Sequence, residues 1–92
     1  MNRYKIRLSK RSVRDMEFLS LNLKNRIIEK LYFYVEQENP LFFAKKLTGY
    51  GKKTYRFRIG DYRAVFRVDE QGKVIVLLVV RVLHRKEIYR RV

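Results

Sequence analysis

Residues 55 to 63 read Tyr-Arg-Phe-Arg-Ile-Gly-Asp-Tyr-Arg, a stretch in which cations alternate with apolar side chains. In a strand, Arg56 and Arg58 leave one face while Tyr55, Phe57 and Ile59 leave the other. Gly60-Asp61 has the composition of a two-residue hairpin turn, since glycine accepts a positive φ and aspartate tolerates one. That turn sets Ile59 opposite Tyr62 and Arg58 opposite Arg63. Arg56, Arg58 and Arg63 then share one face, and Phe57, Ile59, Tyr62, Ala64 and Phe66 share the other. Like charges facing each other across a sheet cost free energy. A chain that keeps such a cluster is expected to use it on something anionic.

A second chemically patterned block closes the chain, His84-Arg85-Lys86-Glu87-Ile88-Tyr89. His84 is the one residue of a type that titrates near neutrality. Chemistry based on cysteine is excluded: the 92 residues contain none, so there is no thiolate nucleophile, disulfide framework or cysteine-ligated zinc. With one histidine and nine acidic residues, no metal site built from protein ligands and no cofactor is expected. The formal net charge of +14 fits nucleic acid, an acidic protein or an anionic membrane surface. Membrane-surface proteins concentrate their cations on an amphipathic helix. Here the most patterned arginines fall in strands, which favours nucleic acid and argues against a membrane. No apolar segment after Met1 has the length of a signal peptide core, so a cytoplasmic protein is expected.

These residues need a scaffold, and 92 residues suffice for a single domain, 1–92, with one core. Residues 3 to 8 alternate as a first strand with Tyr4, Ile6 and Leu8 on one side. Ser9 is a helix cap for residues 10 to 19, with Val13, Met16 and Leu19 (or Phe18) facing inward. A second cap lies near Ser20. The helix after it carries Leu23, Ile27, Leu31 and Tyr34 as its buried stripe, and Asn39-Pro40 ends it. Tyr32, Phe33 and Tyr34 read most simply as helix packing. Residues 41 to 53 read as a loop, residues 54 to 59 and 62 to 68 as a hairpin, and residues 73 to 82 as a central strand of nearly unbroken Val, Ile and Leu. A short helical tail starts near His84. The expected fold is α+β, in the order β-α-α-β-β-β, with a helical pair packed on a twisted antiparallel sheet.

In this order of elements the chain resembles the RelE/ParE superfamily of toxin–antitoxin toxins. The resemblance rests on Arg-x-x-x-Gly-Asp-Tyr-Arg at residues 56 to 63 and His-Arg-x-x-Ile-Tyr at residues 84 to 89. It rests also on Asn39-Pro40 followed by Lys46-Leu47-Thr48-Gly49. Resemblance to the RelE branch implies a metal-independent endoribonuclease that cuts mRNA in the A site of the 70S ribosome. It also implies an acidic antitoxin that covers the basic face. Resemblance to the ParE branch implies instead an inhibitor of DNA gyrase that is not a nuclease. A basic nucleic-acid-binding protein acting mainly as corepressor is a third alternative.

The RelE-type reaction uses the RNA's own 2′-OH as nucleophile. It needs cations around the charged transition state and a proton for the departing 5′-oxygen. By resemblance, Arg56 and Arg58 occupy two basic hairpin positions, often lysine in the family. Arg63 occupies the position that grips the phosphate, and Arg85 the position that contacts the scissile region. Tyr89 would stack on a base or hydrogen-bond near the reacting atoms. Arginine stays charged at neutral pH, so Arg56 and Arg58 would act through their field and leave the general base elsewhere. His84 is a candidate acid or base, although the family places its histidine differently. Lys45, Lys46, Lys52 and Lys53 are candidates for contacts to RNA phosphates. Arg67 and Arg81 read as surface charges.

Overall fold

A computed structural model describes residues 3–88. The elements are β1 (Tyr4–Leu8), α1 (Lys10–Asp15), α2 (Leu21–Val35), a 3-10 turn (Pro40–Phe43), β2 (Ala44–Lys46), β3 (Thr54–Ile59), β4 (Tyr62–Gln71), β5 (Val74–His84) and α3 (Arg85–Ile88). The strands form one sheet in the order β1-β5-β4-β3-β2. It is an α+β domain with helices on a mostly antiparallel sheet. The exception to antiparallel pairing is β1, which lies parallel to β5 with Ile6 beside Leu77.

Both helix starts follow from serine chemistry. Ser9 accepts a hydrogen bond from the Ser12 N–H, and Ser20 accepts one from the Leu23 N–H, each satisfying a donor that the first helical turn leaves open. On α2, Ile27, Leu31 and Tyr34 are buried as the spacing predicts, and the helix ends at Val35, before Asn39-Pro40. Residues 16 to 19 leave the helical path that the sequence suggested for them. Met16 packs inward, but Val13 and Phe18 are exposed. Residues 41 to 53 are more ordered than a loop, because Ala44 to Lys46 add a short edge strand beside β3. Tyr32 and Phe33 are exposed as well, so of the three consecutive aromatics Tyr34 alone packs into the core.

The core under the helices is built on an aromatic column. Tyr34 stacks on Phe57 with ring centroids 4.4 Å apart, and Phe57 stacks on Phe66 at 4.4 Å. Tyr34 thereby joins α2 to the β3–β4 hairpin. Its hydroxyl also donates to the carbonyl oxygen of Arg58 at 3.3 Å. Burial raises the Tyr34 pKa from its ordinary 10.0. The folded chain then holds this proton to higher pH than the unfolded chain does. Its contribution is complete below about pH 10 and is lost as the pH rises through the folded value. Tyr34→Phe is therefore expected to cost about 0.5–1.5 kcal/mol at pH 7 through the lost hydrogen bond. The variant should also show a weaker alkaline loss of stability, measurable by urea denaturation at pH 7 and above pH 10.

A smaller cluster of Leu47, Val65, Leu83 and Ile88 packs on the opposite face of the sheet, with Tyr50 and Val80 against it. The Tyr50 hydroxyl donates to the Ile88 carbonyl, so the segment before β3 is tied to α3. Arg81, expected as a surface charge, is a structural tie. Its Nε and Nη2 donate to the two Asp15 oxygens at 2.8 and 3.1 Å, and the Val82 N–H donates to Asp15 Oδ2 at 2.8 Å.

Candidate nucleic-acid interface

The β3–β4 hairpin has the register that its composition predicts: Ile59 pairs with Tyr62 and Arg58 with Arg63. Gly60 makes this possible with φ +59°, a conformation costly for residues bearing a Cβ. Arg56, Arg58 and Arg63 consequently project from one face, opposite α2. Strand β2 extends that row, since Lys45 pairs with Arg56. On β4, alternation puts Arg67 on the same face, where it pairs with Thr54 and Leu78, and Leu78 pairs in turn with Arg7. The sequence reading assigned no role to Arg67 or Arg7. The pairing register shows that they prolong the cationic face.

The three hairpin arginines differ in exposure. Arg58 is open to solvent and Arg56 is half-buried, with its Nε buried and lacking a hydrogen-bond partner among the described residues. Arg63 is 8% exposed. Its Nη1 donates to the carbonyl oxygens of Gly60 and Tyr62, both at 2.9 Å. Arg63 therefore shapes the turn from inside, at the position paired with the exposed Arg58. Leu47, Val65, Leu83 and Ile88 pack on this same face, where Arg56 is half-buried and Arg63 buried.

Arg85 reaches the same end of the sheet from α3. Its N–H donates to the Asp61 carbonyl at 2.7 Å, and its guanidinium Nε lies 3.6 Å from Asp61 Oδ1. Both side chains are more than half exposed, so water screens the ion pair and Arg85 can be drawn to another anion at little cost. His84 stands elsewhere. It pairs with Tyr62, on the helix-covered face, and its ring meets Tyr62 edge-on at 5.3 Å. Its Nδ1 accepts from the Lys86 N–H at 3.2 Å, which leaves the neutral ring's proton on Nε2. The structure thus does not bring His84 together with the arginines.

The four lysines separate as well. Lys45 lies beside Arg56, whereas Lys46 pairs with Tyr55 and takes the other face. Lys52 and Lys53 precede the far end of β3, about 17 Å along the strand from the Gly60-Asp61 turn at about 3.4 Å per residue. Tyr89 lies outside the described residues.

A surface of this kind, on a sheet backed by a helical pair, belongs to a known class. Residues 6–89 match the model of the ParE toxin of type II toxin–antitoxin systems, and the chain belongs to the RelE/ParE superfamily of such toxins. Among individual relatives it is similar to toxin RelG of Mycobacterium tuberculosis, at 32% identity over 88 residues, covering 96% of this chain and 98% of that one. It is also similar to the toxin in the RelBE2 toxin–antitoxin complex of M. tuberculosis (TM-score 0.72, 28% identity, 89% of this chain and 98% of that one). The archaeal RelE–RelB complex of Pyrococcus horikoshii gives a TM-score of 0.65 at 29% identity, covering 90% of this chain and 96% of that one.

Proposed function

We propose that this toxin is a ribosome-dependent endoribonuclease that cuts mRNA in the A site. The observation that carries the reading is the convergence of Arg58, Arg63 and Arg85 on the Gly60-Asp61 end of one sheet face, with Arg56 and Lys45 in the adjoining row. A phosphate seated there meets an exposed guanidinium on β3 and a second on α3, with Arg63 as a fixed charge below. Such a fork suits a phosphoryl group whose negative charge grows as the 2′-oxygen attacks. The 2′-oxygen–phosphorus bond forms, the phosphorus–5′-oxygen bond breaks, and a proton must reach the leaving oxygen. Arginines stabilise this charge without accepting the first proton, so a base from the ribosome or solvent completes the reaction.

We also infer an antitoxin partner. The similar complexes pair a RelE toxin with RelB, and a chain of charge +14 would attract an acidic segment over the same basic face. Gyrase inhibition is the second reading, favoured by the match to the ParE toxin model.

Primer extension on a reporter mRNA in a purified translation system tests the choice. Cuts at A-site codons are expected with the wild-type chain, with none on ribosome-free RNA and a strong reduction for Arg85→Ala. Arg63→Lys belongs in the same series, because Arg63→Ala also removes two hydrogen bonds that shape the turn. Intact mRNA together with loss of gyrase supercoiling activity would establish the alternative.

A further inference from the structure

Phe42 is 81% exposed and Phe43 45% exposed, on the 3-10 turn that leads into β2. A phenylalanine this open adds nothing to the core, and with Phe43 it forms an exposed aromatic pair, where the more open Phe18 has no aromatic neighbour among the described residues. The turn has a defined shape. The Phe42 N–H donates to the Asn39 carbonyl at 3.1 Å, and the Phe43 ring packs on Tyr34 with centroids 5.6 Å apart. Phe43 in turn supports Phe42 edge-on, at 5.6 Å and 86°. Phe42 is thus a ring held by one neighbour and otherwise open to solvent.

Its position relates it to the arginines. Ala44 pairs with Phe57 and Lys45 with Arg56, so the chain enters β2 at the Arg58 end of β3. Neighbouring strands are about 4.8 Å apart, which sets the aromatic turn one strand from β3 at the sheet edge, with Phe43 on the α2 side against Tyr34 and Arg58 on the other side. From residue 39 to residue 60 the chain has no acidic residue, while Lys45, Lys46, Lys52, Lys53, Arg56 and Arg58 fall within it. An exposed aromatic ring on a stretch that carries only positive charge suits single-stranded nucleic acid, whose bases stack while its phosphates follow the charge.

We propose that Phe42, supported by Phe43, is a stacking subsite for an unpaired nucleobase of the RNA, whose backbone passes round the β2 edge to reach Arg58 on the other side. This deepens the nuclease reading and rests on it for the identity of the polymer. An acidic protein segment fits less well. An amphipathic helix needs a groove with apolar positions repeated along it, whereas Phe43 is followed by Ala44, Lys45 and Lys46, and the exposed Phe33 ring beside Tyr34 carries the Lys30 ammonium 4.8 Å from its centroid. Strand addition is disfavoured too, because β2 has three residues, and short edge strands resist pairing.

The chain contains no tryptophan, so Phe42→Trp makes a single-tryptophan reporter at the subsite. The probe is a 2′-O-methyl oligoribonucleotide, which lacks the attacking hydroxyl and reports binding without cleavage. Its addition should quench the tryptophan, and an abasic ribose-phosphate oligomer of equal length should not. By fluorescence anisotropy, Phe42→Ala should bind the oligonucleotide about fivefold to a hundredfold more weakly, with Phe42→Trp near wild type. Circular dichroism should show both variants folded, since the ring lies outside the core.

Unchanged affinity in Phe42→Ala, or equal quenching by the abasic oligomer, overturns the subsite. Quenching by an acidic peptide but not by the oligonucleotide overturns it as well and gives the patch to a protein partner. The two readings fail separately. Quenching with no A-site cleavage would leave the subsite standing and remove the nuclease, while cleavage with unaltered Phe42→Ala binding would do the reverse.

Discussion

Asp15→Ala is expected to destabilise the fold by about 3–5 kcal/mol, the range for breaking a buried ion pair by removing one partner. The Asp15 and Arg81 side chains are 10% and 18% exposed, and the carboxylate accepts from both the guanidinium and the Val82 N–H. Alanine would leave a desolvated cation and an unsatisfied backbone donor at the junction of α1 with β5. At about 4–8 °C per kcal/mol for a domain of this size, the thermal midpoint should fall by roughly 12–40 °C. Asp15→Asn should fall between, since an amide oxygen can still accept from Val82 but carries no charge. A double-mutant cycle with Arg81→Met isolates the pair, and the doubly substituted chain should recover much of the loss. A shift of only a few degrees in Asp15→Ala would show that the tie bears little weight.

Arg58→Ala is expected to move activity and stability in opposite directions. If Arg58 stabilises charge on the reacting phosphate, its loss should lower the cleavage rate by about 10²–10³, the scale of removing one transition-state charge stabiliser. The free fold should gain, because Arg58 stands directly opposite Arg63 and like-charged cross-strand pairs are destabilising by about 0.2–1 kcal/mol. Cleavage time courses on programmed ribosomes and urea denaturation of the same preparation check both signs. Parallel losses of activity and stability would make Arg58 a structural residue and remove it from the proposed chemistry.

The hairpin was legible from sequence because two independent signals agreed there. Alternation assigned the faces, and Gly60-Asp61 fixed the register, so the Arg58–Arg63 pairing followed without tertiary information. The stripe on α2 was legible for the same reason, since Ile27, Leu31 and Tyr34 repeat at helical spacing. Strand β2 was not, because Ala44-Lys45-Lys46 is too short to show a period and owes its existence to the edge of β3. Val13 has helical spacing relative to Met16, but α1 stops at Asp15 and turns that side to solvent. The Asp15–Arg81 tie joins residues 66 positions apart, and local patterning carries no trace of such a contact. His84 could be singled out by residue type, but its face depended on where β5 pairs with β4.

The parallel pairing of β1 with β5 has a consequence for biosynthesis. The first strand has no neighbour in the sheet until residues 75 to 79 have been made, and the Asp15 carboxylate at the end of α1 meets its partner only at Arg81. Contacts this distant in sequence form slowly and late. The hairpin bearing Arg56, Arg58 and Arg63 precedes β5 in the chain, yet Val65 and Leu83, which help bury it, meet only after the last strand emerges. Before β5 is made, the basic hairpin has α2 to pack on through Tyr34, Phe57 and Phe66, but lacks the strand that pairs with β4. One strand, β5, thus completes both the basic face and the seat of the first strand.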